Sequence, residues 1–334
     1  MNGSFDNISE TIQKYSKIKF SDEQVKLPKL VSLARLVTNA LSYWFCYIII
    51  NNYIAQKKID FLSILIVILG IISSVILGSR GGAINIILAM IAIYTVIKNK
   101  KNGYGKDITK KFILKILIIL GVILLTFQMT GSLLGRKSNS KTAISNMNFF
   151  DYLSIYCGAQ IKNLDTYLQE DNIDNENLYW GSQTFVYVIR YFGGKLNWSN
   201  SYYALTLPMR KVDGFNLGNV YTTFYPYIYD FGYIGEIILV AIMAIIAQLV
   251  YETCRSVTLK SKPKVSILVY SYIFSTIVFS FFSNKFYENI FNKQFLNMIL
   301  LWYIFNLVFY NIAFENIKNL FINIKSERKM RIKK

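Results

Sequence analysis

The chain has 334 residues, 53% of them hydrophobic and only 17% charged, with a mean hydropathy of +0.34 and a formal charge of +18. Soluble domains carry about 45–50% apolar and about 25% charged residues, and here the apolar residues fall in blocks too long and continuous for a core, which excludes a soluble globular protein. Histidine is absent, which excludes a histidine triad, a histidine metal site and a histidine pH switch. The three cysteines, Cys46, Cys157 and Cys254, lack the spacing of a zinc or dithiol site, so no metal or redox cofactor is expected.

Residues 1–30 are polar and carry no signal peptide pattern. A bilayer core about 30 Å thick needs about 20 apolar residues in a helix. Candidate spans follow at about 31–54, 60–78, 82–97, 112–130, 232–250, 265–282 and 294–314. The expectation is an all-α polytopic membrane protein with about seven transmembrane helices and one long, mostly helical external loop. Its parts are an N-terminal tail (1–30), four helices (31–130), the loop (131–231), three helices (232–314) and a basic tail (315–334).

Charge placement sets the expected orientation. The connection 57–60 with segments 98–111, 251–264 and 315–334 holds 19 Lys/Arg against 5 acids. Alternation of seven spans puts all of them on one face, which reads as cytoplasmic. The positive charge therefore faces lipid and cytoplasm, and no nucleic-acid partner is expected.

The loop contains 12 tyrosines with Trp180 and Trp198, whereas disordered segments are poor in aromatics. Leu153, Tyr156, Ile161, Leu164 and Leu168 recur at helical spacing, so one amphipathic helix is expected over 149–168. The aromatic run 184–192 fits a helix or a segment lying on the membrane. Tyrosine offers an apolar face with a polar edge, which suits sugar rings as well as an interfacial belt.

Chemistry-bearing groups are few. Gly78-Ser79-Arg80-Gly81-Gly82 separates the second and third spans. Glycines at a helix N-terminus admit a phosphate to the backbone, and an arginine there adds a guanidinium fork. The same sequence also serves as a tight turn with Arg80 reaching lipid headgroups. Arg190, Arg210 and Lys211 are candidate anion ligands, or partners of the loop's acids. Asp213 and Asp230 are candidate proton acceptors, Asp213 being equally a turn residue and Asp230 equally the cap of the helix it opens.

The glycine-arginine turn between spans, the long external loop and the run from Asn219 through Tyr225, Tyr229 and Asp230 to Gly235 together resemble bacterial oligosaccharide repeat-unit polymerases of the Wzy type, which build O-antigen and capsule. The resemblance covers about residues 31–314 and implies a metal-independent, cofactor-free glycosyltransferase at the outer face of the cytoplasmic membrane. Such an enzyme joins undecaprenyl-diphosphate-linked repeat units and works with a chain-length regulator and a flippase. It implies that Arg80 serves catalysis by holding a diphosphate, with Gly78, Ser79, Gly81 and Gly82 around it. Arg190, Arg210, Lys211, Tyr225 and Tyr229 would bind substrate, and Asp213 or Asp230 would take the proton. Members of that superfamily carry more spans, and seven spans place the five lysines of residues 1–30 outside, which fits either a translocated short tail or spans that precede this frame in relatives. The related ligases use a loop histidine, which this chain lacks. The alternatives are a flippase or transporter, which would show repeat symmetry between halves, and a non-catalytic scaffold.

Overall fold

The computed structural model describes residues 28–76, 80–103, 149–169, 180–196, 207, 210–212, 215–256 and 262–312. Helices dominate. They are α1 (Lys29–Gln56), α2 (Phe61–Ile76), α3 (Arg80–Asn102), α4 (Phe149–Gln169), α5 (Val186–Leu196), α6 (Phe224–Cys254), α7 (Val265–Val278), α8 (Lys285–Ile290) and α9 (Lys293–Asn306). A 3-10 turn at Phe279–Phe281 extends α7, and a π-helical turn at Leu307–Ile312 extends α9. Between α5 and α6, the strands β1 (Arg210–Val212) and β2 (Phe215–Gly218) form an antiparallel hairpin, an addition to the all-α architecture expected.

Among the described residues, α1, α3 and α6 are long and apolar enough to cross a membrane, while α2 and the stretch 265–281 are shorter apolar helices. The chain is membrane-associated by this criterion. The expected span at 112–130 lies outside the described residues.

α1 is the organising element, packing against α2, α3 and α9, while α7 packs on α3 and α6. Each contact has a sequence cause. Gly70 lets α2 approach α1 so closely that a Cβ at that position would lie 1.8 Å from Ser42 Oγ. Trp302 donates through Nε1 to the Ala40 carbonyl (2.9 Å), and Trp44 donates to Asn306 Oδ1 (3.1 Å). Pairing 40 with 302 and 44 with 306 makes α9 run parallel to α1. Asn306 also donates to the Pro263 carbonyl (2.8 Å), so α7 starts where α9 ends.

Lys101 Nζ donates to the Ile54 carbonyl (2.7 Å), tying the C-terminal ends of α1 and α3. Lys264 Nζ makes a similar bond to the Thr253 carbonyl (2.7 Å) where α6 hands over to α7. The C-terminal ends of α1 and α3 thus meet, and Lys57, Lys58, Lys98, Lys100 and Lys101 gather at that end of the bundle. α3 is 23 residues long, and at about 1.5 Å per residue its start lies about 35 Å from that end.

α6 is broken rather than straight. Gly232 has φ +66° and ψ −174°, a conformation open essentially to glycine alone. The chain therefore turns between a short helix at 224–231 and the long apolar helix that follows, close to the expected span start at 232. All three cysteines are free, with Cys46 and Cys254 buried and Cys157 exposed.

Candidate functional site

Opposite the lysine-rich end, the described loop segments close over α6 and α8. α4 forms where helical periodicity predicted, but with a partly different face inward. Ile161 and Leu168 are exposed, and Ala159, Gln160, Asn163 and Tyr167 are buried. Asn163 is buried there because its Nδ2 donates to the Val220 carbonyl just after β2 (2.8 Å), while Gln160 Nε2 donates to the Cys157 carbonyl of α4 itself (2.8 Å). Of the expected apolar stripe, Leu164 packs against the buried tyrosines while Ile161 and Leu168 face outward, so hydrophobic spacing placed the inward face only in part.

Tyr167 joins a stack of four tyrosines. Its ring lies 4.6 Å from Tyr225, Tyr221 lies 4.3 Å from Tyr225, and Tyr225 lies 5.8 Å from Tyr229. Arg210, at the start of β1, donates through Nε to Tyr221 OH (2.7 Å) and places its guanidinium 5.8 Å from that ring. Three residues singled out in the sequence, Arg210, Tyr225 and Tyr229, thus converge through two that were not, Tyr167 and Tyr221. Positions 221, 225 and 229 share one helical spacing, a stripe legible in the sequence. Tyr225 is buried and Tyr229 half-buried, so within the stack it is Tyr229 that retains surface for a ligand. Lys211 is exposed and pairs with Asn216 in the hairpin register.

Asp230 does not cap the helix it was expected to open, because it lies inside α6. Its Oδ2 accepts from the backbone N–H of Thr184 (2.6 Å) and of Gln183 (3.1 Å), while Oδ1 has one long contact to Gln183 N–H (3.4 Å). The carboxylate caps the turn that leads into α5, a segment far away in sequence. Thr184 Oγ1 donates to the Pro226 carbonyl (3.0 Å), and Asn284 Nδ2 donates to the Thr184 carbonyl (2.8 Å). Replacing Asp230 with Ala leaves the two N–H groups without this acceptor and is expected to destabilise the fold by about 1–3 kcal/mol. Asp230→Asn keeps an oxygen there and should recover most of that loss in a thermal melt in detergent.

Arg190 sits in α5 close enough to act on the Tyr187 phenol, together with Lys285 and Glu288 of α8. Lys285 Nζ contacts Glu288 Oε2 at 2.5 Å. Burial pulls the Lys285 ammonium down, and the Glu288 carboxylate more than offsets this, leaving it above the usual lysine range. Burial, and then the Glu288 charge, push the Tyr187 phenol up. A hydrogen bond from Lys195, with the charge of that lysine, holds the Tyr191 phenol down. Neither Lys285 nor Glu288 was singled out in the sequence; in the structure they are an i,i+3 pair on α8.

Arg80 is the first residue of α3, with Gly81 and Gly82 completing its first turn. Gly81 is exposed, and no atom lies within 4 Å of the position its Cβ would take. Gly78, Ser79 and Asp213 lie outside the described residues. No family model matches the chain, and no curated protein or solved structure matches it either.

Proposed function

We propose that the chain polymerises lipid-linked oligosaccharide repeat units of a bacterial surface polysaccharide at the outer face of the cytoplasmic membrane. The observation that carries this reading is the position of Arg80. It opens α3 at the end of the bundle remote from Lys101, and the glycine beside it is uncovered. A helix start presents the positive end of the helix dipole. With no side chain at Gly81, a diphosphate can approach the backbone, and an arginine in the same turn supplies the positive charge to hold it.

In the proposed reaction, a hydroxyl of the non-reducing sugar on one lipid-linked unit attacks the anomeric carbon of the growing glycan on another. The bond to undecaprenyl diphosphate breaks, and the bonding electrons leave with the diphosphate. Arg80 opposes the charge that develops there, an electrostatic contribution that often dominates catalysis. Arg190 and Arg210 are the candidates for the second carrier's diphosphate, and Lys211 for acidic groups of the glycan. The hydroxyl proton goes to Asp213 or Asp230, and Tyr229 offers its ring to the sugars with the buried Tyr225 supporting it from behind. The chain-length regulator and flippase implied by the resemblance would act on the same lipid-linked units.

Arg80→Ala is expected to abolish long polymer and leave single-repeat material on the outer surface, read by gel electrophoresis at matched protein levels. Unchanged polymer length would overturn the diphosphate assignment. A flippase would leave the single-repeat material inside instead.

A further inference from the structure

The end of the bundle that carries Asp230 also carries an aromatic shelf. α5 buries Val186 and Gly193 and exposes Tyr187, Tyr191, Phe192 and Leu196. Trp180, in the preceding turn, is 79% exposed, and its ring meets Phe231 edge-on at 4.6 Å. Phe231 touches Phe185 at 6.1 Å, and Phe185 reaches Phe291 at 5.8 Å. Three segments distant in sequence thus merge into one surface. It continues into the exposed side of α6, which starts with Tyr233 and Ile234 and runs on through Ile237 and Ile238.

Two exposed cations flank the shelf. Lys195 Nζ lies 4.5 Å from the centre of the Tyr191 ring, and Lys293 is near enough to act on the same phenol. A large exposed apolar patch marks an interaction site. Rings with a polar edge settle at headgroup depth, and a short amphipathic helix lies in the plane of that layer. Lysines beside it are drawn to anionic lipid.

We propose that α5 and the Trp180 turn lie within the outer headgroup layer of the bilayer, with Lys195 and Lys293 against the phosphates of anionic phospholipid. Lipid is the occupant because the shelf is continuous with the apolar exterior of α6 and because cations stand where phosphates would lie. The turn held by Asp230 then sits at headgroup depth. The inference rests on membrane association and does not require glycan transfer, so loss of the polymerase reading would leave it standing.

Spin labelling in nanodiscs tests it. With Cys157→Ser removing the exposed native thiol, a nitroxide is attached through Phe192→Cys or, for comparison, through Asn219→Cys at the exposed end of the hairpin. In phosphatidylglycerol nanodiscs, the label at 192 should be relaxed several-fold more by lipid-soluble oxygen than by a water-soluble nickel chelate, with the reverse at 219. Lys195→Gln with Lys293→Gln should reduce the contrast at 192 to its value in phosphatidylcholine. A label at 192 as open to the chelate as that at 219 would overturn the proposal. So would shielding from both reagents, as under a protein partner or second copy, or a contrast indifferent to the lysines.

Discussion

Gly235→Ala is expected to destabilise the protein by about 3 kcal/mol, the upper part of the range for forced overpacking. An added Cβ at 235 would lie 2.0 Å from Phe231 Cβ, a separation no side-chain rotation relieves. The cause is the break at Gly232, which folds the short helix 224–231 back against the start of the long one. The two glycines of the run Asp230-Phe-Gly-Tyr-Ile-Gly235 therefore act as a unit. One supplies a φ of +66°, and the other vacates the space into which Phe231 turns. Gly232→Ala should cost about 1–3 kcal/mol for its backbone strain. Phe231→Ala should not rescue Gly235→Ala, because alanine keeps the clashing Cβ. Thermal unfolding in detergent measures all three. A Gly235→Ala melt equal to that of the parent would show that α6 is straight.

Trp302→Ala should cost about 3 kcal/mol, the low end of the range for deleting a fully buried large aromatic. Trp302 is 0% exposed, packs 5.9 Å from the Tyr43 ring, and donates to the Ala40 carbonyl. The low end applies because lipid is itself apolar. Transfer from water contributes little between membrane helices, so what is lost is packing and the hydrogen bond. Trp302→Phe retains most of the packing and loses only the indole N–H, a change of about 1 kcal/mol. Titration with a denaturing detergent separates the two variants. Equal losses would mean that the hydrogen bond, not the ring, fixes α9 on α1.

The helices of the bundle were legible because long apolar blocks and lysine clusters are strong signals. The charge pattern implied one lysine-rich face, and among the described residues the Lys101–Ile54 bond brings together the lysines at the ends of α1 and α3. The loop was less legible for a definite reason. α4 turns Asn163 inward because that side chain bonds the carbonyls at the end of the hairpin, which periodicity of apolar residues does not register. Asp230 read as the cap of its own helix because local sequence contains no sign of the Gln183–Thr184 turn that it holds from 46 positions away. In the candidate site, Arg210, Tyr225 and Tyr229 were visible as residue types and Tyr221 by its spacing from them, whereas the linking Tyr167 on α4 required the fold. Lys285 and Glu288 were hidden in the connection between two apolar helices.

Purified protein supplied with undecaprenyl-diphosphate-linked repeat units in liposomes tests the central claim most directly. The account predicts a ladder of lengthened lipid-linked glycans with one undecaprenyl diphosphate released per linkage, and neither product with Arg80→Ala. Intact single-repeat units after incubation with the folded parent protein would contradict it.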